Sequence, residues 1–300
     1  MASLPVIGWI GAGRMGVPMA GFILQAGYPV VVFSRNAANR RKLVAKGARE
    51  AGSVAHCTRE SDIVFCSLPD DRALREVALG HEGVLASAKP RTVFIDTSTV
   101  STEVSAQIAQ EAAQREVAYL RVPISGNAAS AQKGEVTALV SGPKPAWDTV
   151  RPVVQAFSQA QVYLGPGEEA RHMKLVINLL IVATAQAMAE ALALGRKAGL
   201  GWDLLLDTIS QSTIASPWLK VKVGLMKRRD FTPTMTTQLI LKDVELMLAA
   251  ARATGVQMPL TSAAREAIRT AIGAGYAEED YMAIIKLAER QAGLPTDKVD

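Results

Sequence analysis

The sequence predicts a two-part α/β protein: a doubly wound parallel sheet with helices on both faces, followed by an all-α domain. Three observations predict it. Short β-branched runs alternate with helical stretches through the first 165 residues, glycines stand at the first strand-to-helix junction, and strand signals stop after about residue 166. At 300 residues, 49% of them hydrophobic and 20% charged, the chain can bury two cores and shows no compositional sign of disorder.

The expected strands are "PVIGWIG" (5–11), "PVVVFSR" (29–35), "DIVFCSLP" (62–69), "TVFIDTS" (92–98), "AYLRVPI" (118–124), "TALVSG" (137–142) and "AQVYLG" (160–165). Between them, "MGVPMAGFILQAG", "NRRKLVAKG", "DRALREVALG" and "TEVSAQIAQEAAQRE" have helical composition. Beyond them, helical patterns cover 168–198, 202–212, 215–228, 236–254, 260–273 and 280–292. Gly199, Gly255 and Gly293 sit where helix ends are expected, and Pro217, Pro233, Pro259 and Pro295 fall in or beside the breaks. The expected domains are therefore 1–165 and 166–300, joined by a long helix beginning near 168.

Gly11, Gly13 and Gly16 form G-x-G-x-x-G directly after the first strand and at the start of the first helix. In a Rossmann-type fold the first glycine turns the chain, the second admits a diphosphate, and the third lets helix and strand pack closely. The helix N-terminus adds unpaired N–H groups and partial positive charge. A tight structural turn would use the same glycines, but the strand-turn-helix context favours a dinucleotide site that also includes Ala12, Arg14 and Met15. The second strand ends at Ser34, Arg35 and Asn36, with Arg40 and Arg41 following and no carboxylate to hold a ribose 2′-hydroxyl. That end favours NADP over NAD, although the arginines also fit a solvated helix start.

Other classes find less support. Cys57 and Cys66 have no metal-ligand spacing, so neither a metal site nor a disulfide framework is expected, and a reducing cytoplasm is the natural compartment. The start "MASLPVIGW" lacks the pattern of a secretory signal. The net charge of +5 is spread along the chain with few aromatics interleaved, which argues against nucleic acid. The run at 175–194 has the length of a bilayer span but contains Asn178, Gln186 and Glu190; a buried helix is expected there rather than a membrane segment.

Hydride transfer needs a partner that moves a proton. Of the three histidines, His56 and His81 fall in polar connections, and His172 points away from the helical face of Lys174. Lys174 and Asn178, four residues apart, share one face of the long helix. By itself Lys174 also fits a first-turn lysine snorkelling to solvent.

Further blocks give Lys174 its weight. "IGWIGAGRMGVPMAGFILQAGYPVVVFSRN", "SLP" at 67–69, "FIDTSTVS" at 94–101, "VPISGNAASAQKGEVTALVSG", "GEEARHMKLVINLL" and "LKDVELMLAAARATGVQMPL" follow one another along nearly the whole chain. Together they resemble the β-hydroxyacid dehydrogenases, which include 3-hydroxyisobutyrate dehydrogenase, tartronate semialdehyde reductase and the glyoxylate/succinic semialdehyde reductases, with a 6-phosphogluconate dehydrogenase-type NADP-binding domain. The resemblance implies a hydride transfer between NADP, or NAD, and a short β-hydroxy acid or its semialdehyde. It makes Lys174 the general acid/base and Asn178 its companion. It places Ser125, Gly126 and Asn127 at the substrate carboxylate, Trp218 at the pocket wall, and Leu68, Pro69, Thr99 and Lys242 against the cofactor, with Asp243 orienting neighbours. It also implies a homodimer or homotetramer. Asn127 stands where many relatives have a second glycine, Ile177 where they have an asparagine, and Met235 where a phenylalanine is common. Two alternatives share the fold: an imine reductase, and a non-catalytic dinucleotide-binding module used for assembly. Both occur among relatives that lack the lysine.

Overall fold

The computed structural model describes residues 4–296 of the chain. Nine strands form one sheet: β1 (Ile7–Ile10), β2 (Val30–Phe33), β3 (Arg49–Glu50), β4 (Ile63–Cys66), β5 (Val93–Asp96), β6 (Ala118–Arg121), β7 (Ile124–Ser125), β8 (Val136–Ser141) and β9 (Ser158–Gly165). The helices between them are α1 (Gly16–Gln25), α2 (Ala37–Val44), α3 (Val54–Arg59), α4 (Asp71–Leu79), α5 (Val84–Ser87), α6 (Thr102–Gln114), α7 (Ala128–Lys133) and α8 (Lys144–Gln155). The strand order is β3-β2-β1-β4-β5-β6-β8-β7, with β9 beside β8.

The central strands β1, β4 and β5 are buried at every position. Continuous apolar runs of this kind belong to a sheet covered on both faces. Alternate residues divide between two cores, Ile7, Trp9, Val32, Phe65 and Ile95 on one face and Ile10, Val31, Val64 and Phe94 on the other. Trp9 stacks on Phe65 with ring centroids 5.1 Å apart, and Phe157 meets Trp9 edge-on.

The sheet departs from the expected all-parallel pattern at one end. Strands β3 through β6 pair parallel, but β8 runs antiparallel to both β6 and β7. Only Val122 and Pro123 separate β6 from β7, which continue in one direction, and the short α7 then turns the chain back into β8. A return this short suits an antiparallel pair, whereas a parallel crossover needs a dozen or more residues. Strands β3 and β7, two residues each, are too short for hydrophobic alternation to reveal them.

The chain packs as two compact units, Met1–Val176 and Ile177–Asp300, so the division falls later than residue 165. The reason is a single unbroken helix, α9 (Glu169–Lys197), whose first turns belong to the first unit. There the Ala170 amide donates to Ser141 Oγ at 3.2 Å, and Arg171 is buried against β5. The chain therefore leaves the first unit inside a helix rather than in a loop.

The second unit holds the rest of α9 with α10 (Trp202–Gln211), α11 (Pro217–Lys227), α12 (Thr237–Thr254), α13 (Pro259–Ala271) and α14 (Ile284–Gln291). Ser216 and Thr236 cap the starts of α11 and α12, and Gly255 ends α12 at φ +73°. The left-handed value there favours a residue without Cβ. Among the described residues α9 is the one helix long and apolar enough to cross a bilayer. Its Val182 and Ala185 line a small cavity with Ile240, Ala264, Ile268 and Ile284, while Val176, Leu180 and Leu194 are exposed.

Candidate active site

The glycine corner is built as its spacing requires. Gly11 sits at φ +92°, and a Cβ there would collide with the Ser67 carbonyl oxygen of the neighbouring strand end. A Cβ on Gly16 would collide with the Gly11 carbonyl and lie 2.8 Å from Trp9 Nε1. Around Gly13, by contrast, a Cβ would meet nothing within 4 Å. Two glycines thus close the corner tightly and the middle one leaves open space, the arrangement a diphosphate needs. Helix α1 begins behind it with no side-chain cap.

A cleft of about 600 Å³ opens from this corner, lined by Gly11–Gly13, Ser34, Arg35, Asn36, Leu68 and Pro69, with Glu76 and Glu82 on its α4 side. These residues fit a bound dinucleotide. Ser34 is buried, and Arg35 is exposed at the end of β2. Asn36 Oδ1 caps α2 by accepting from the Asn39 amide at 3.1 Å. Arg40 turns away, ion-paired to Glu50 at 2.6 Å and donating to the Ser34 carbonyl. On the outer side of α1 a second depression of about 710 Å³ is lined by Arg14, Lys42 and Lys46.

At the strand ends, the Leu68 amide donates to Ser98 Oγ at 2.9 Å, and Thr97 Oγ1 donates to the Cys66 carbonyl at 2.8 Å. These bonds hold the Leu68–Pro69 and Ser98–Thr99 segments side by side. Gly126 follows β7 at φ +145°, where a Cβ would press on Val136 and Ser130. Ser125 is half-buried. Asn127 is engaged locally: its Oδ1 accepts from the Ala129 and Ser130 amides at 3.0 Å, completing a capping box that starts α7.

Lys174 is 9% exposed and does not snorkel to solvent. Asn178 follows one helical turn later, 4% exposed, and its Nδ2 donates to Asp243 Oδ2 at 2.7 Å. Lys242 Nζ lies 3.0 Å from the other oxygen of Asp243, which therefore orients both neighbours. Trp218 is half-buried, and its Nε1 donates to Tyr281 Oη at 3.1 Å. Lys174 belongs to the first unit, whereas Asn178, Trp218 and Lys242 belong to the second. His56 lies in α3 rather than in a connection and bonds Glu60 at 2.9 Å; His81 and His172 are exposed.

Pattern reading missed a buried polar network one turn before Lys174. Arg171 is 1% exposed and Asp96, the last residue of β5, is fully buried; the two form an ion pair. Burial alone would raise the Asp96 carboxyl, but the Arg171 guanidinium and the Ser98 donors outweigh it and hold the carboxyl below its ordinary value. Burial and then the Asp96 charge push the Tyr119 and Cys66 side chains upward. Burial likewise takes the Cys57 thiol up to about 12. The signal was an acid ending an apolar strand in "VFID" and an arginine three residues before Lys174, two charges that only the fold brings together.

Residues 6–165 match the NAD binding domain of 6-phosphogluconate dehydrogenase, and residues 169–288 match the NAD-binding family of NADP-dependent 3-hydroxyisobutyrate dehydrogenase. The chain is 32% identical to 2-(hydroxymethyl)glutarate dehydrogenase of Eubacterium barkeri, covering 96% of each chain. It is 29% identical to glyoxylate/succinic semialdehyde reductase 2 of Arabidopsis thaliana, over 93% of this chain and 78% of that one. The solved structure of Mycobacterium tuberculosis 3-hydroxyisobutyrate dehydrogenase with L-serine superposes with a TM-score of 0.85 at 27% identity, over 95% of this chain and 99% of that one. Its glycine corner, its two matched segments and this full-length similarity place the chain in the β-hydroxyacid dehydrogenase family of NAD(P)-dependent oxidoreductases.

Proposed function

We propose that the protein interconverts a short β-hydroxy acid and its semialdehyde, prefers NADP over NAD, and uses Lys174 as its general acid/base. The observation that carries this reading is the burial of Lys174 one helical turn from the buried Asn178, in a chain whose glycine corner fits a dinucleotide. When bound, the nicotinamide cofactor supplies or accepts the hydride. In reduction the Lys174 ammonium protonates the oxygen of the former aldehyde, and in oxidation the neutral amine takes the hydroxyl proton. Asn178, fixed by Asp243, orients the same oxygen. Ser125 Oγ and the Gly126 amide bind the carboxylate. Since Asn127 Oδ1 caps α7 and its backbone N–H donates to Ser130 Oγ, Asn127 serves the substrate through its side-chain Nδ2. Trp218, steadied by Tyr281, walls the pocket, and Lys242 reaches the cofactor.

The preference for NADP rests on Arg35, exposed at the end of a strand that carries no carboxylate, while Arg40 is held by Glu50. The exposed apolar residues of α9, Val176, Leu180 and Leu194, repeat on one face and support a homodimer or homotetramer. Lys174 favours the dehydrogenase over an imine reductase or a non-catalytic assembly module. The test is turnover of glyoxylate and of succinic, methylmalonic and tartronic semialdehydes with NADPH and NADH, with Lys174→Ala as control. Turnover with NADPH that disappears in the variant supports the reading. Equal activity in the variant, or NADPH consumption with none of the panel, removes it.

A further inference from the structure

We infer that the buried Arg171–Asp96 pair is a positioning device that sets the Lys174 ammonium in register with the strand ends proposed to face the nicotinamide. This inference rests on the assignment of Lys174 as acid/base. Arg171 Nη1 donates to the Ser98 carbonyl at 2.5 Å, Nη2 donates to Asp96 Oδ2 and to Tyr119 Oη at 3.0 Å, and Nε donates to Ser105 Oγ at 3.3 Å. Asp96 in turn accepts from the Ser98 amide at 2.9 Å, from Cys66 Sγ at 3.2 Å and from Tyr119 Oη at 3.2 Å. Ser98 then accepts from the Leu68 amide. One guanidinium fork thus ties the ends of β4 and β5, which present Leu68 and Thr99, to α9 three residues before Lys174. Residues three apart on a helix share a face, so a shift of Arg171 moves Lys174 with it.

Fastening the helix does not require this pair. The start of α9 is already held by Ala170 on Ser141 and by Arg121 on Glu168. A hydrophobic pair of similar volume would also fill the space, often without loss of stability. What the fork adds is direction: its planar donors fix distance and angle to four separate groups. A displacement of about 1 Å between reacting groups can lower a rate about 100-fold, so such register bears directly on turnover.

The experiment compares Arg171→Met, Asp96→Asn and the double variant. It reads Tm, NADPH affinity by fluorescence, kcat, KM, and the NMR resonance of ¹³C-dimethylated Lys174, assigned with Lys174→Arg. Each single variant leaves a buried partner uncompensated and loses Tm. The double variant is expected to regain most of the Tm and to keep its NADPH affinity and KM, while kcat stays about 100-fold down and the Lys174 resonance shifts. Arg171→Lys retains the charge without the fork and serves if the double variant fails to fold. It is expected to lose between about 10- and 100-fold in kcat with the same resonance shift. Wild-type kcat with an unmoved Lys174 resonance, in either of these two variants, overturns the proposal. If the wild-type protein turns over none of the aldehyde acids, the assignment of function fails by itself, and the Lys174 resonance still decides whether the pair sets its position.

Discussion

The glycine corner and the Arg171 network both shape the proposed active centre, and they do so by opposite means. The corner works through the absence of side chains at three of six residues: Gly11 and Gly16 permit close approach and Gly13 leaves space. The network works through side chains, joining Asp96 to Arg171 across 75 positions of sequence. A backbone device is local and rigid once the strand and helix form. A charge network depends on both partners being buried together, and it fails when either is removed.

That contrast can be broken in stages. Lys174→Ala removes the proposed acid/base, and kcat should fall on the order of 100- to 10,000-fold while NADPH still binds, as read by turnover and fluorescence titration. Arg171→Met leaves the Asp96 carboxyl buried without its partner, a change of about 3–5 kcal/mol in stability near neutral pH. Because the folded Asp96 carboxyl lies below its ordinary value, the stabilisation is present above that value and lost as pH falls through the lowered one. Thermal scans should therefore show the gap between wild type and Arg171→Met holding from pH 7 down to about pH 4 and narrowing below it.

The corner separates into two effects. Gly11→Ala forces a Cβ against the Ser67 carbonyl at positive φ and should destabilise the fold by about 1–3 kcal/mol in denaturant titration. Gly13→Ala meets no protein atom, so it should keep wild-type stability and weaken NADPH affinity alone. Arg35→Ala should lower the NADPH-over-NADH preference about tenfold or more in kcat/KM, the scale of a charged hydrogen bond. The smallest change is Asn127→Ala, which removes the cap of α7 for about 1 kcal/mol and lowers Tm by about 2–4 °C.

The fold was legible wherever the pattern is local. The strands "IGWI", "VVVF", "IVFC" and "VFID" and the five helices from α10 to α14 announce themselves by apolar runs, caps and breaking glycines or prolines. The antiparallel return through α7 was not legible, because the two-residue β7 carries no periodicity. The unit boundary inside α9 was hidden for a related reason: a helix reads the same on either side of a packing division.

Motif spacing marked the glycines and put Lys174 and Asn178 on one helical face, whereas the roles proposed for those two came only from the family resemblance. Arg171 and Asp96 could not be found by spacing, nor could Lys222, buried in the second unit with Asp280 at 2.8 Å. The sequence by itself determined the dinucleotide corner, the order of the longer strands and helices, and the helical face shared by Lys174 and Asn178, since each follows from interactions among residues a few positions apart. Only the tertiary structure decided that Lys174 is buried, that Asn127 caps a helix, and which distant charges are paired. Burial and ion pairing are properties of the space between elements, and no local pattern encodes which elements will meet there.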